Sequence, residues 1–200
     1  MALIKLNNRA VKDIDAVGSI GTGDLVFISK QTASSDASIS FTSGIDSTYK
    51  EYVFFFKNLH PQTNGQNLTF QADTGTNTNY NQTITSTFYY AYHNEAGNNS
   101  VFGYVNSYDQ AQGTNFQRLL YDCSSDADHS ANGYLHVYNP SSTTFVKHFM
   151  SRLGNTDKDD YQIDSFCAGY FNTTTAITRF QFKFASGNID SGDILLYGVN

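Results

Sequence analysis

The chain has 200 residues, enough for one substantial domain, and charged residues make up only 15% of it, against roughly 25% in typical soluble domains. Its formal net charge is −6, which argues against a nucleic-acid partner, because phosphate binding needs a concentrated lysine and arginine surface. Phe and Tyr are abundant and glutamate is scarce, so the composition favours strands over helices.

Residues 1–24 differ from the rest of the chain and are interpreted as an N-terminal arm. They contain the basic residues Lys5, Arg9 and Lys12 and end in the glycine-rich stretch VGSIGTGD, which has the composition of a hinge. No apolar run approaches the roughly 18 residues that would span a bilayer, and the first residues lack a signal-peptide core. We therefore expect no membrane partner, and an arm that docks on another protein by adding a strand or through its three basic residues.

From residue 25 onward the sequence predicts strands separated by turn residues. Both faces of 50–61 are apolar, with Leu59 expected on the same face as Val53 and Phe55, so this strand should be central in a sheet. Gly187 and Gly192 separate the last two predicted strands and allow either a capped loop or a crossing between sheets. The predicted strands span 25–32, 38–43, 50–61, 67–73, 82–94, 100–108, 133–140, 143–153, 164–172, 176–185 and 193–199.

Only residues 110–122 have a helical pattern. Phe116, Leu119 and Leu120 lie at positions i, i+3 and i+4, and Gly113 limits this helix to a turn or two. The alternation of the other segments predicts an all-β fold, a two-sheet antiparallel β-sandwich over 25–200 that is jelly-roll-like. Its inward aromatic residues should fill the space between the sheets.

The sequence offers little for catalysis. His136 and His148 lie on predicted strands, and neither has an acidic residue at a hairpin or helical offset to position it as a general base. Nucleophile-elbow, zinc-protease and phosphate-loop motifs are absent. Cys123 and Cys167 are too few and too far apart for a disulfide framework or a zinc site. We therefore predict two free thiols, no cofactor and no enzymatic activity.

One acidic stretch has the spacing of a metal-binding loop. Asn155, Asp157 and Asp159 lie at the first, third and fifth positions of a calcium loop, where alternate oxygen atoms can converge on one cation. Asp160 stands where the loop needs glycine, and Phe166 stands where a bidentate glutamate should close the coordination shell. The pattern favours a solvated acidic loop, so no metal site is predicted and these three residues are only its candidate ligands.

Four tyrosines form a candidate contact surface. Tyr89, Tyr90 and Tyr92 place rings on both faces of one predicted strand, and Tyr104 lies on the next. Tyrosine suits sugars and protein partners alike, and core packing accounts for at least half of the aromatic residues. An open groove with Asn and Asp around these rings would favour ligand binding, whereas a subunit interface would favour assembly.

Several stretches of the sequence resemble virion structural proteins of tailed bacteriophages, especially phages of marine cyanobacteria. They include ASISFTSGIDSTYKEYVFFFKNLHP, NPSSTTFVKHFMSR and FKFASGNIDSGDILLYG, and the similarity covers nearly the whole chain. The resemblance implies a non-enzymatic component of a phage particle, fibre-like or decoration-like, with a jelly-roll-like or related β-sandwich body. It implies no catalytic or metal-binding residue.

Two functions from different classes follow as expectations. The first is an outer virion component, of the head-decoration, head-fibre or tail-fibre type, made in the host cytoplasm and joined to other virion proteins through its arm. Such a protein is expected to be a homo-oligomer. The second is a receptor-binding module that recognises a host surface glycan or protein.

Overall fold

The structure, a computed structural model, describes residues 25–200, so the arm and its basic residues Lys5, Arg9 and Lys12 lie outside the described part. Within residues 25–200 the chain forms thirteen strands and one short 3-10 helix, Asn106–Tyr108. The strands are β1 Leu25–Asp36, β2 Ile39–Phe41, β3 Glu51–Pro61, β4 Leu68–Thr74, β5 Ile84–Asn94, β6 Ser100–Tyr104, β7 Ala111–Gly113, β8 Gln117–Arg118, β9 Ala131–Tyr138, β10 Lys147–Thr156, β11 Tyr161–Phe171, β12 Ile177–Phe184 and β13 Ile189–Val199.

The strands form two antiparallel sheets of unequal size. The large sheet has nine strands in the order β1-β13-β3-β9-β10-β11-β5-β6, with β7 also paired to β5. The small sheet has four strands in the order β2-β12-β4-β8. These sheets confirm the predicted all-β, two-sheet antiparallel fold, while the jelly-roll-like path stays a prediction.

Phenylalanine rings fill the space between the two sheets. Phe54 of the large sheet contacts Phe182 of the small sheet, with ring centroids 5.0 Å apart. Phe70 of the small sheet contacts Phe149 of the large sheet at the same separation. Both contacts are edge-to-face, an arrangement that the aromatic quadrupole favours. Inward and outward residues alternate along each strand. The inward rings of the two sheets meet in one core that extends over both sheets.

Strand β3 is central, as predicted, since it lies between β13 and β9. The predicted orientation of Leu59 is wrong. The pairing with β9 shifts between Phe56 and Leu59, and Asn58 between them has a φ of 50°. A bulge places an extra residue in one strand, so the side chains beyond it change face. Leu59 therefore joins the core instead of the face of Val53 and Phe55.

The helix predicted over 110–122 is wrong. These residues form the short strands β7 and β8 and the irregular segments around them. The backbone N–H of Leu119 donates to the carbonyl of Leu68 in the small sheet at 2.8 Å. Leu119 and Leu120 are buried, while Phe116 is only partly buried. Pairing with neighbouring strands replaces the intrahelical hydrogen bonds, because a short helix interrupted by Gly113 is marginal by itself.

The last two strands belong to different sheets. β12 lies in the small sheet and β13 in the large sheet, so residues 185–188 cross between them. Gly187 has a φ of 72° in this crossing, a conformation that glycine adopts without a steric penalty. Of the two arrangements that the sequence allowed, the crossing is therefore the correct one.

Candidate functional site

The outer face of the large sheet, which points away from the small sheet, is rich in aromatic side chains. In β3 the side chains of Phe54 and Phe56 lie in the core, so Phe55 between them points outward. Leu195 and Tyr134 lie directly opposite Phe55 and share its face. The same register, followed across the sheet, defines a surface that we call the aromatic face. It comprises Phe27, Phe55, Tyr89, Phe102, Tyr104, Tyr134, Tyr138, Phe166, Tyr170 and Tyr197.

Rings on the aromatic face contact one another across neighbouring strands. Near β1, the ring of Tyr197 contacts both Phe27 and Phe55, each with a centroid separation of 5.5 Å. Near β6, Tyr89 stacks on Phe166 at 4.8 Å with 10° between the ring planes. Cross-strand aromatic pairs stabilise a sheet, yet Phe27 remains 56% exposed. Large exposed apolar surfaces of this kind mark interaction sites on soluble proteins.

Two ion pairs lie on the aromatic face. Arg152 donates hydrogen bonds from two guanidinium nitrogens to the carboxylate of Asp164 at 2.7 to 3.1 Å, and these bonds raise the pKa of Arg152. The Nζ atom of Lys30 lies 3.3 Å from Asp193. The hydroxyl of Thr32 also donates to Asp193 and lowers the pKa of that carboxyl. Opposite charges therefore neutralise each other within these two pairs.

Two shallow depressions interrupt the aromatic face. One, of about 420 Å³, lies over Ala168 and is bounded by Met150 and Tyr170. The other, of about 520 Å³, lies over Gly154 beside Tyr134. Both occur where a small residue stands among large side chains. Depressions of this kind can accept a protruding side chain from a partner protein.

The opposite side of β5 carries a row of tyrosines. Tyr90 lies between Tyr92, at 5.6 Å, and Tyr121, at 4.9 Å. Tyr121 also stacks on Tyr108 at 5.6 Å, and the guanidinium carbon of Arg118 lies 4.0 Å from the centre of the Tyr108 ring. We call the four tyrosines the tyrosine stack. Tyr90 and Tyr121 each contact two other rings of this stack. These two inner tyrosines therefore present mainly their ring edges and hydroxyl groups.

A pocket of about 240 Å³ lies beside the tyrosine stack. Two of its tyrosines come from β5, and others come from the segment after β8 and from the start of β11. The pairing of β5 with β11, which sets Tyr92 opposite Ile163, brings these segments together. The residues that line this tyrosine pocket are Tyr90, Tyr92, Tyr121, Asp122, Asp157, Lys158, Asp159, Tyr161 and Ile163.

Hydrogen bonds hold the walls of the tyrosine pocket in place. The Oδ1 atom of Asn67 accepts the backbone N–H of Asp122 at 3.1 Å and the hydroxyl of Tyr108 at 3.0 Å. The amide of Asn155 donates to the carbonyl of Tyr121 at 3.0 Å. Asp122 has a φ of 50°, a left-handed conformation that is uncommon outside glycine. Residues held in such conformations by their surroundings cluster at functional sites.

The charges around the tyrosine pocket are mostly negative. Burial raises the pKa of Asp122, although the ammonium group of Lys158 opposes this shift. A hydrogen bond to Asp159 raises the pKa of Lys158. Burial also raises the pKa of Tyr121, so its phenol stays protonated and can donate a hydrogen bond. Since Asp157 is a third carboxylate in the lining, the pocket disfavours anionic ligands.

The structure divides the four candidate tyrosines between these two surfaces. Tyr90 and Tyr92 line the tyrosine pocket. Tyr89 and Tyr104 lie opposite each other on the aromatic face. The alternation of the strand predicted that the rings of β5 would point both ways, and this is confirmed. The sequence did not indicate Tyr121 as part of the site, because it fell within the wrongly predicted helix.

The three candidate calcium ligands lie in a β-hairpin. Asn155 is part of β10 and pairs with Ile163 of β11. The Oδ1 atom of Asp157 accepts the backbone N–H groups of Asp159 and Tyr161, both at 2.9 Å. The carboxylate of Asp157 thus stabilises the turn that joins the two strands. Asp157 and Asp159 therefore have partners within the hairpin, whereas the amide of Asn155 donates to Tyr121 outside it.

A histidine lies beside this turn. The Nε2 atom of His129 is 3.9 Å from a carboxylate oxygen of Asp128 and 3.9 Å from one of Asp160. Asp126, His129 and Asp160 offer atoms within 4.8 Å of one another that could ligate a metal. The aspartates are exposed, and exposed acidic groups are common without a metal, so we describe this group as ion-pairing residues only.

His136 has an acidic partner that lies at neither a hairpin nor a helical offset. Its Nδ1 atom contacts the carboxylate of Glu51, which lies on β3 and reaches β9 only through sheet pairing.

Cys123 and Cys167 are free, as predicted, and buried. Burial raises the pKa of Cys123 to about 12 and also raises that of Cys167. Because the thiolate is the nucleophilic form, neither cysteine is suited to covalent catalysis.

In the part of the chain that the structure describes, no helix is long and apolar enough to cross a membrane. Comparisons of the chain with protein-family models, with curated proteins and with solved structures find no match. The aromatic face and the tyrosine pocket are therefore the structural observations that bear on function.

Proposed function

We propose that this chain is a non-enzymatic structural protein of a tailed-phage particle and assembles as a homo-oligomer through its aromatic face. The exposed aromatic face is the observation that carries assembly. The resemblance of the sequence to phage virion proteins supports the kind of particle, an outer component of the head-decoration, head-fibre or tail-fibre type. In this proposal the arm, with Lys5, Arg9 and Lys12, docks on another virion protein.

The exposure of large apolar side chains supports assembly. Phe102 is 73% exposed and Met150 is 54% exposed. Both lie on the same sheet surface as the stacked rings of Tyr89 and Phe166. Removing apolar surface from water is favourable by roughly 25 cal/mol per Å². Aromatic residues and methionine are also enriched in the cores of protein interfaces. A partner that covers this face would therefore gain stability.

The distribution of charge favours a second copy of the chain as that partner. Each copy carries a net charge of −6, so two copies repel wherever their acidic surfaces meet. On the aromatic face, the Arg152–Asp164 and Lys30–Asp193 pairs neutralise their own charges. The acidic tyrosine pocket lies on the other side of β5. Contact through the aromatic face thus brings two copies together with little repulsion, as a self-complementary two-fold interface requires.

A receptor-binding module is the second candidate, and the tyrosine pocket favours it. The pocket combines tyrosines with Asp122 and Asp159, the arrangement of rings and acids expected for ligand binding. Tyr90 lines the pocket, while its neighbour Tyr89 belongs to the aromatic face. An oligomer held together by the aromatic face can therefore also present this pocket, so the two functions are compatible.

Sedimentation velocity of the full chain over a range of micromolar concentrations tests assembly. We expect an oligomer that dissociates when Phe102→Ser and Met150→Ser are combined. Val101→Ser is the matched control, because Val101 is also exposed but lies opposite Tyr92 and points to the other face of β6. A wild-type chain that stays monomeric throughout, or a double variant that associates like the wild type, contradicts assembly through this face.

Deletion of residues 1–24 tests docking separately. We expect the shortened protein to fold and self-associate but to be missing from assembled particles. Incorporation at the wild-type level would show that the arm is not the docking segment.

A further inference from the structure

We infer that the tyrosine pocket binds one neutral sugar unit, through the hydroxyl groups of Tyr90, Tyr92 and Tyr121 and the carboxylate of Asp122. This inference deepens the receptor-binding alternative and rests on it, independently of assembly through the aromatic face. The class of ligand follows from the hydrogen-bonding groups that line the pocket.

Ring contacts limit the usual uses of an aromatic pocket at Tyr90 and Tyr121. Tyr90 contacts both Tyr92 and Tyr121, and Tyr121 also contacts Tyr108. Recognition of an organic cation by an aromatic cage needs open ring faces. Stacking of a flat ligand needs them as well. What the inner tyrosines offer to a ligand is therefore the hydroxyl group at the edge of each ring.

These hydroxyls are available for hydrogen bonding. Among residues 25–200, the hydroxyl of Tyr108 donates to Asn67 and that of Tyr161 accepts from Asn99. The hydroxyls of Tyr90, Tyr92 and Tyr121 make no such bond within that range. A phenol can donate one hydrogen bond and accept others. A row of such groups matches a ligand that carries several neighbouring hydroxyls, which is the chemistry of a sugar.

The charges of the pocket select a neutral sugar over an acidic one. The carboxylates of Asp122 and Asp159 can accept hydrogen bonds from sugar hydroxyls, while the ammonium of Lys158 can donate. Together with Asp157, the pocket has three carboxylates and one ammonium group. An acidic sugar would bring a further negative charge towards them, and like charges at short range oppose binding.

The size and rigidity of the pocket limit the ligand to a single unit. Its volume of about 240 Å³ lies below the roughly 300–1,000 Å³ of typical small-molecule pockets, which suits one sugar ring better than an oligosaccharide. The hydrogen bonds of Asn67 and Asn155 already fix the segment around Tyr121 and Asp122. A pre-organised site loses little conformational entropy on binding, so several weak hydrogen bonds can together give specific binding.

The experiment measures binding of methyl glycosides of galactose, glucose, mannose and N-acetylglucosamine, with glucuronic acid as the anionic probe. Saturation-transfer NMR and calorimetric titration of the full chain supply the readouts. We expect at least one neutral glycoside to bind and glucuronic acid to bind more weakly. Tyr90→Phe and Tyr121→Phe should each weaken binding about three- to tenfold, because phenylalanine keeps the ring in the stack but loses the hydrogen bond.

Tyr89→Phe is the matched control, since it removes a hydroxyl from the adjacent residue on the opposite face of β5. Its affinity for the glycoside should equal that of the wild type. Failure of every neutral glycoside to bind, tighter binding of glucuronic acid, or wild-type affinity of Tyr90→Phe would each overturn the inference. Sedimentation of the same variants reports assembly separately, so loss of sugar binding and loss of self-association are distinguishable.

Discussion

Tyr89 and Tyr90 are consecutive residues of β5 whose rings belong to opposite surfaces of the large sheet. Tyr89 stacks on Phe166 within the aromatic face, and Tyr90 packs against Tyr121 beside the tyrosine pocket. Successive side chains of a strand point to opposite faces, so one strand serves two surfaces. As a result, a substitution at either position tests one surface and leaves the other intact.

The core depends on inward phenylalanines much more than on their outward neighbours. Phe54→Ala should lower the free energy of unfolding by about 3–5 kcal/mol, because it removes a fully buried ring and leaves a cavity. Phe55→Ala changes the adjacent, partly exposed ring and should have a smaller effect. Urea denaturation of both variants checks this difference. Equal losses would mean that the inward and outward assignments of β3 are wrong.

The bulge in β3 depends on the left-handed backbone of Asn58. Since Asn58 has a φ of 50°, a β-branched residue is strained there, and Asn58→Val should destabilise the fold by about 1–2 kcal/mol. Asn58→Gly is the control, because glycine adopts this φ freely, and it should retain nearly the wild-type stability. Thermal and urea unfolding provide the measurement. If valine is tolerated as well as glycine, Leu59 does not owe its inward orientation to this conformation.

Asp122 should make stability depend on pH. Burial raises its pKa in the folded state above the ordinary value of 3.8, so the folded chain holds this proton more tightly than the unfolded chain does. Its contribution to stability is therefore largest below 3.8 and declines as the pH rises through the raised folded-state pKa. We expect Asp122→Asn to be more stable than the wild type at neutral pH and to lose this advantage on acidification.

Urea denaturation of Asp122→Asn and wild type between acidic and neutral pH checks that expectation. Asparagine also tolerates the left-handed φ at this position well. An advantage that stays constant at every pH would therefore assign the effect to the backbone and contradict the role of the charge.

The two thiols should be protected in the folded protein. Cys123 and Cys167 are buried, and burial raises the pKa of both, so little reactive thiolate is present. Ellman's reagent should react with neither in the native state and with both in denaturant. Cys123→Ala and Cys167→Ala variants assign each signal. Rapid labelling of native protein at mildly alkaline pH would contradict the burial of the thiol that reacts.

The sequence by itself determined the class of this fold and most of its strands. Strand alternation is a local property, so the shared face of Phe54 and Phe56 and the opposite orientations of Tyr89 and Tyr90 follow from spacing alone. The scarcity of helix-forming residues and the abundance of β-branched and aromatic ones point the same way. The central position of β3 also follows, because both of its faces are apolar.

Only the tertiary structure decided which strands pair and where the register shifts. The bulge that turns Leu59 inward, the contact between His136 and Glu51, and the meeting of Tyr92 with Tyr121 all depend on pairing between distant segments. The same pairing gave residues 110–122 strand partners in place of a helix. Hydrogen bonds to a neighbouring strand can outweigh a weak local preference, and no local pattern specifies which distant strand provides them.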